Sequence, residues 1–157
     1  MTEQHRIASL SLDDSTVSPS AAHLEHERRV AMADILQENF FRPIGEVQGP
    51  YDLRLGIQES RLAIEVRDLE CRRLGLILLS LTPLRRVMRD YLAVCDSYYE
   101  ALKAASPSRV EAIDVGRRAL HNEGSEVLRE RLDGKIEIDH ETARRLFTLI
   151  CALRARG

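Results

Sequence analysis

The stretches YDLRLGIQ (residues 51–58) and RLAIEVRD (61–68), separated by Glu59 and Ser60, decide how this chain folds. Tyr51, Leu53, Leu55 and Ile57 alternate with polar residues in the first, and Leu62, Ile64 and Val66 do so in the second. A period of two marks a strand with one buried face. A turn centred on Glu59 and Ser60 sets Ile57 opposite Leu62, Leu55 opposite Ile64 and Leu53 opposite Val66. The same register places Arg54 opposite Glu65 and Asp52 opposite Arg67 on the other face, and cross-strand pairs of opposite charge contribute about 0.2–1 kcal/mol each. Two independent patterns thus agree on a hairpin in a sheet with one solvated face.

Working outward from the hairpin, LECRR (69–73) makes a turn, and LGLILLSL (74–81) is a third strand of the meander. It is apolar on both sides, which predicts the best-buried strand of the sheet. At the N-terminus, RIASLSL (6–12) puts Ala8, Leu10 and Leu12 on one side and suits a fourth, short strand. The turn-rich DDSTVSPSA leads to a helix from about Pro19 to Glu38, with Ser18 as N-cap and proline at the first helical position. Leu24, Ala31, Met32, Ile35 and Leu36 form its buried stripe, and EHERR (25–29) its wet side. FFRPIGEVQGP (40–50) reads as a loop from its prolines and glycines.

Thr82-Pro83 predicts the start of the strongest helix, with threonine as cap. Leu84, Val87, Met88, Tyr91, Cys95, Tyr98 and Leu102 follow at helical spacing. A further helix starts at SPS (106–108) and is interrupted by LDGKIEID (132–139) through Gly134. The last helix is capped by Asp139 and buries Ala143, Leu146, Phe147, Ile150 and Leu153. The expected fold is therefore α+β: an antiparallel sheet of three to four strands with about four helices packed mainly on one face, in a single domain over residues 1–157 whose first twenty residues are less ordered.

The 157 residues are 44% hydrophobic and 31% charged, with a net charge of −2, the profile of a soluble globular chain with no bulk attraction to nucleic acid. LGLILLSL is too short to span a bilayer as a helix, and the first residues lack a secretory signal, so a cytoplasmic protein is expected. Cys71, Cys95 and Cys151 lie far apart without the CxxC pairing of zinc or thiol redox sites. Only Lys103 and Lys135 among the 23 basic residues are lysines, an excess of arginine that GC-rich codon usage also produces.

The stretches LTPLRRVMRDYLAVCDSYYEA (81–101), IDVGRRALHNEGSEVL (113–128) and TARRLFTLICALRARG (142–157), with LEHERRVA (24–31) and GPYDLRL (49–55), resemble an uncharacterised family of short alphaproteobacterial proteins. The resemblance covers most of residues 24–157 and leaves out the first twenty or so. It implies a bacterial cytoplasmic protein and carries no activity, substrate, cofactor or catalytic residue.

The richest chemistry lies in HNEGSE (121–126). A histidine beside a carboxylate can act as an oriented base or a metal ligand. On a continuous helix, however, His121 and Glu123 stand roughly 160° apart. Val110, Ile113, Gly116, Leu120, Gly124 and Val127 instead form one stripe, with both glycines on the packed side. The competing arrangement ends the helix near Asn122 with Gly124 in a left-handed cap, so that a corner gathers His121, Glu123 and Glu126. The metal signal is weak, because HExxH places its ligands one turn apart and this segment does not. His23 and His26 with Glu27 are ligand types, but on a helix the two histidines need a third ligand from elsewhere that the sequence does not identify, and no metal or cofactor is expected.

The arginine pairs Arg28-Arg29, Arg85-Arg86, Arg117-Arg118 and Arg144-Arg145 would make an anion footprint if three or more shared a surface. Glu25, Glu27, Asp90, Asp114 and Glu141 stand close enough in sequence to pair with them as ordinary helical ion pairs. Cys95 falls on an apolar stripe and reads as a buried, inert thiol.

These features point first to a non-enzymatic interaction or regulatory module that binds a protein partner or itself, with no membrane and no nucleic-acid role expected. The alternative is a small-anion-binding protein or enzyme with a site of His121, Asn122 and Glu123 joined by Arg117, Arg118 and Arg145. A third reading is nucleic-acid binding through aligned arginine pairs.

Overall fold

The hairpin forms in the expected register. The computed structural model describes residues 4–13, 22–45, 47–104 and 106–154. In chain order these contain β1 (Ile7–Asp13), α1 (Ala22–Gln37), β2 (Phe41–Pro43), β3 (Tyr51–Gln58), β4 (Arg61–Arg67), β5 (Arg73–Ser80), α2 (Arg85–Lys103), α3 (Pro107–Leu132), β6 (Ile136–Ile138) and α4 (His140–Arg154). The expected cap at Ser18 and helix start at Pro19 lie outside the described residues.

Ile57 faces Leu62, Leu55 faces Ile64 and Leu53 faces Val66 across β3 and β4. Glu59 and Ser60 make the turn at φ 51° and 65°. Two consecutive left-handed residues give a tight turn whose twist matches that of the strands it joins. Asp52 and Arg67 pair at 3.3 Å as their positions require. Arg54 stands opposite Glu65, but the Glu65 carboxylate is held by Arg67 at 3.3 Å and by Arg73 of β5 at 2.9 Å.

The sheet runs β1-β3-β4-β5. β1 is its fourth strand, yet it lies parallel to β3 instead of continuing the antiparallel meander. A parallel neighbour needs a crossover, and α1 lies between the two strands in the chain. Asn39, just past α1, fastens that crossover: its Oδ1 accepts from the Ile7 amide at 2.8 Å, and its Nδ2 donates to the carbonyls of Ile7 at 3.0 Å and Ile35 at 2.7 Å.

Leu53, Leu55, Leu62, Ile64, Val66 and Leu79 bury one face of the sheet against Leu128, Leu132, Leu146, Phe147 and Ile150 of the helices. The expected deep burial of β5 does not occur. β5 is an outer strand, and Leu74, Leu76 and Leu78 remain 39%, 43% and 37% exposed. Apolar residues on both sides of a strand do not distinguish a central strand from an edge with a free apolar row.

The segment expected as a loop at 40–50 contains β2, which pairs antiparallel with β6 in a separate two-stranded sheet. Arg42 donates from Nε and Nη2 to the Glu137 carboxylate, both at 3.2 Å, across that ladder. Thr82 is not a side-chain cap: Thr82–Leu84 is a 3-10 turn, and α2 follows it from Arg85. Val87, Met88, Tyr91 and Cys95 are buried as expected, but at the end of α2 Ala101 takes the buried position and Leu102 is 46% exposed. Asp139 does cap α4, its Oδ1 accepting from the Thr142 amide at 2.8 Å.

α3 continues unbroken through HNEGSE, so the corner at Asn122 does not form. Gly124 is packed as the stripe requires: a Cβ there would meet the Phe147 ring at 2.2–2.7 Å. Gly116 is not, since nothing lies within 4 Å of an added Cβ. Gly116→Ala is therefore expected to stabilise the protein by about 0.5–1 kcal/mol through helix propensity. Gly124→Ala is expected to cost about 1–3 kcal/mol by forcing Phe147 out of its seat. Urea unfolding of both variants beside the parent checks this, and changes of the same sign would contradict the packing.

Candidate functional site

The residues of HNEGSE leave α3 in different directions. His121 turns toward α4, where its Nε2 lies 2.8 Å from the Thr148 hydroxyl. Asn122 accepts a hydrogen bond from Arg144 of α4. Glu123 turns the other way and accepts from Arg86 Nη2 of α2 at 2.7 Å. Ser125 is buried and donates to the His121 carbonyl at 2.7 Å, and Glu126 meets His140 Nδ1 at 3.1 Å. The segment is thus an interhelical fastener, and His121 and Glu123 do not share a site.

His121 nevertheless lies at a cleft. Its ring packs against Tyr91 and Phe147, with centroids 5.3 and 5.5 Å away. The Thr148 hydroxyl donates to the Arg144 carbonyl at 3.3 Å, so its oxygen is free to accept from His121 Nε2–H. In that tautomer Nδ1 carries the lone pair, and it is buried without a partner. Burial, with help from the charges of Arg144 and Arg117, pushes the imidazole pKa down from 6.5 to about 4. His121 is therefore neutral near pH 7.

The cleft has a volume of about 240 Å³ and lies among α1, α3 and α4, with Tyr91 of α2 at its base. Two of the arginine pairs named from the sequence meet here. Arg117 and Arg118 enter from α3 and Arg144 and Arg145 from α4, while Glu27 and Asp34 of α1 and Glu141 of α4 complete its charged lining. Arg117 donates from Nε and Nη2 to Asp114 at 2.9 and 2.6 Å, and its guanidinium lies 4.5 Å over the Tyr98 ring. Arg118 reaches the same carboxylate at 2.9 Å, and Arg145 pairs with Glu141 at 3.0 Å. Of the expected site residues, His121, Arg117, Arg118 and Arg145 line the cleft, and Asn122 and Glu123 do not. Glu27 and Asp34 are not legible as site residues in the sequence, because α1 is brought to α3 only by folding, and Arg144 is legible only as the neighbour of Arg145.

The pairs Arg28-Arg29 and Arg85-Arg86 lie elsewhere, Arg28 with Glu25 and Arg86 with Asp90 and Glu123. Cys95 and Cys151 are buried, and burial raises both thiol pKa values, that of Cys95 to about 11. Neither is a thiolate nucleophile near neutral pH. His23 stacks on Tyr99 and meets Asp96 at 3.0 Å. Among the described residues no group of three His, Cys, Asp or Glu side chains could hold a metal ion, and no helix is long and apolar enough to cross a membrane.

A second candidate surface is the outer edge of β5, which pairs with no further strand among the described residues. The half-exposed leucines Leu74, Leu76 and Leu78 stand on the face of the sheet away from the helices, where Leu76 is opposite Glu65 and Leu78 opposite Ala63 of β4. A groove of about 350 Å³ runs beside this edge, walled by Ile44, Val47 and Val66 and by Gly75 and Ile77 of β5 itself. Gly75 leaves an open notch, with nothing within 4 Å of an added Cβ.

Residues 4–156 match the model of a family described as the uncharacterised protein family UPF0262. A UPF0262 protein of Rhizobium leguminosarum bv. trifolii is 51% identical over 152 residues, covering 97% of this chain and 96% of the relative. UPF0262 proteins of Maricaulis maris and Brucella canis are 53% and 52% identical, each covering 97% of this chain and 95% of its own. The family match begins at residue 4, so it takes in the N-terminal strand that the resemblance in sequence left out. No solved structure matches the chain.

The buried histidine makes stability depend on pH. The folded chain binds the His121 proton only near pH 4, and the unfolded chain binds it near 6.5. Its contribution is fully present above pH 6.5 and falls as the pH drops toward 4, by up to about 3 kcal/mol. Between pH 7 and 5 the parent is expected to lose more stability than His121→Gln, measured by urea unfolding. The His121 ring proton should titrate near pH 4 by NMR, and a midpoint above 6 would contradict the burial of its charge.

Proposed function

We propose that this chain, which belongs to the uncharacterised protein family UPF0262, is a non-enzymatic interaction module that pairs with a second copy of itself along β5. The observation that carries this reading is the outer strand β5, uncharged from Leu74 to Ser80 and with three half-exposed leucines in one row. Outer strands are ordinarily kept from pairing by charge, proline, bulges or a covering element. β5 has Arg73 at its start, whose side chain is drawn back to Glu65, and a register shift at Leu74, where Val66 pairs with Gly75 and Arg67 with Arg73; from Gly75 to Ser80 its pairing with β4 is regular.

The strand also suits its own copy. LGLIL (74–78) reads almost the same in both directions. In an antiparallel pair centred on Leu76, Leu76 meets its counterpart and Leu74 meets Leu78 of the second copy. Facing residues in an antiparallel pair share one face of the sheet, so the leucines form a continuous apolar row across the two-fold axis. On the other face, Ile77 of the second copy stands opposite Gly75, where the notch and the adjoining groove provide room for it. No like charges face each other within this register. Covering what remains exposed of each leucine contributes about 1 kcal/mol. An isologous contact of this kind closes with two copies and leaves no new edge.

Sedimentation velocity of the full chain over a range of concentrations is expected to show a dimer. Leu76→Lys, which sets two charges against each other at the axis, is expected to give a monomer with an unchanged circular dichroism spectrum. Val115→Lys, at an exposed position of α3, is expected to leave the dimer intact. A parent that is monomeric at every concentration, or a dimer indifferent to Leu76→Lys, would overturn this assignment.

A further inference from the structure

We propose that the cleft among α1, α3 and α4 binds a small zwitterion of the amino-acid class, with the arginines of α3 and α4 holding its carboxylate and the acids of α1 its ammonium. Glu27 and Asp34 are seven residues apart on α1, and two turns of helix bring them to the same side. Across from them stand Arg117, Arg144 and Arg145, all partly buried, at 22%, 31% and 28% side-chain exposure. These opposite charges face one another and yet do not close. Among the described residues the shortest ion pair from Glu27 or Asp34 to these arginines is Arg145 Nε to Asp34 Oδ2 at 4.0 Å, and that Nε has no hydrogen-bond partner.

The arginines are positioned rather than loose. Arg117 is fixed by Asp114 and by the Tyr98 ring, Arg144 by Asn122, and Arg145 by Glu141. Each of these contacts occupies only part of a five-donor guanidinium, which leaves further N–H groups of each fork uncommitted. A planar fork grips a carboxylate through two parallel hydrogen bonds. On the α1 wall, Glu27 is held through one oxygen by the Tyr99 hydroxyl at 2.5 Å, leaving the other to accept from an ammonium.

The mixture of charges selects the ligand. A dianion would meet Glu27 and Asp34 as like charges, and a diamine would meet the arginines. Only a molecule carrying both signs satisfies both walls. The volume of about 240 Å³ lies below the roughly 300–1,000 Å³ of sites for drug-sized molecules, which restricts the ligand to a small metabolite. Val30, Ala31 and Tyr91 supply apolar lining for a short carbon chain.

The test is isothermal titration and thermal unfolding of the full chain with the twenty L-amino acids. Acetate, succinate and phosphate serve as anion controls and ethylamine and putrescine as cation controls. At least one amino acid is expected to bind saturably and raise the unfolding temperature, and the single-sign controls are not. Arg144→Gln and Asp34→Asn, checked for native circular dichroism, are each expected to weaken that binding about tenfold or more, a loss of about 1.4 kcal/mol. Arg89→Gln, outside the cleft, is expected to leave it unchanged. The proposal is overturned if no amino acid shifts the unfolding temperature at millimolar concentration, if an anion control binds as tightly as the best amino acid, or if Asp34→Asn binds like the parent. Repeating the titration with Leu76→Lys keeps this result separate from self-association, because the cleft is complete within one chain.

Discussion

The β3–β4 hairpin buries one face and wets the other, and the remaining elements are arranged around that asymmetry. Shifting its register by one residue would carry Leu53, Leu55, Leu62, Ile64 and Val66 to solvent and bring Asp52, Arg54, Glu65 and Arg67 against the helices. Hydrophobic burial and the cost of desolvating charges therefore select the same pairing. The turn at Glu59 and Ser60 adds a local constraint in the same sense, since both residues take the left-handed conformation that a two-residue hairpin demands.

Covering the apolar face requires a tight helical layer, and that layer depends on the seat of Phe147 against Gly124. α4 can approach α3 so closely because Gly124 has no side chain, and the approach brings His121 to Thr148 and Asn122 to Arg144. α1 packs beside α4 and is tied to β1 through Asn39. The cleft is the space left where these three helices do not fill the volume between them. Its chemistry follows from that geometry, because residues on the outer side of each contact line become the walls. The neutrality of His121 has the same origin: it stands behind the arginines, in contact with Tyr91 and Phe147, where a proton would be desolvated and repelled.

The two edges of the sheet differ. β1 is parallel to its neighbour and anchored to α1 through Asn39, with serines and Asp13 on its outward face. β5 carries leucines at the corresponding positions, no anchor of that kind and an adjoining groove. A self-pairing edge and an enclosed cleft can operate independently in one small chain, since the first uses the strand farthest from β1 and the second uses helices.

The sequence by itself determined the local structure: the hairpin and its register, the helices after Pro83, Pro107 and Asp139, the burial of Cys95, and the ion pairs one turn apart such as Arg86 with Asp90 and Arg118 with Asp114. Each rests on residues close in the chain, where period, capping and spacing act directly. It also located Gly124 as a packing position, and it named His121 with Arg117, Arg118 and Arg145 without showing which of them meet. Tertiary structure alone decided that β1 runs parallel, that β2 and β6 pair, that β5 lies at the edge, that Gly116 packs against nothing, and that Glu27, Asp34 and Arg144 join the cleft. Those outcomes depend on which distant segment supplies the neighbour. An apolar row such as Leu74, Leu76 and Leu78 has the same pattern whether another strand covers it or solvent does, and only the folded chain says which.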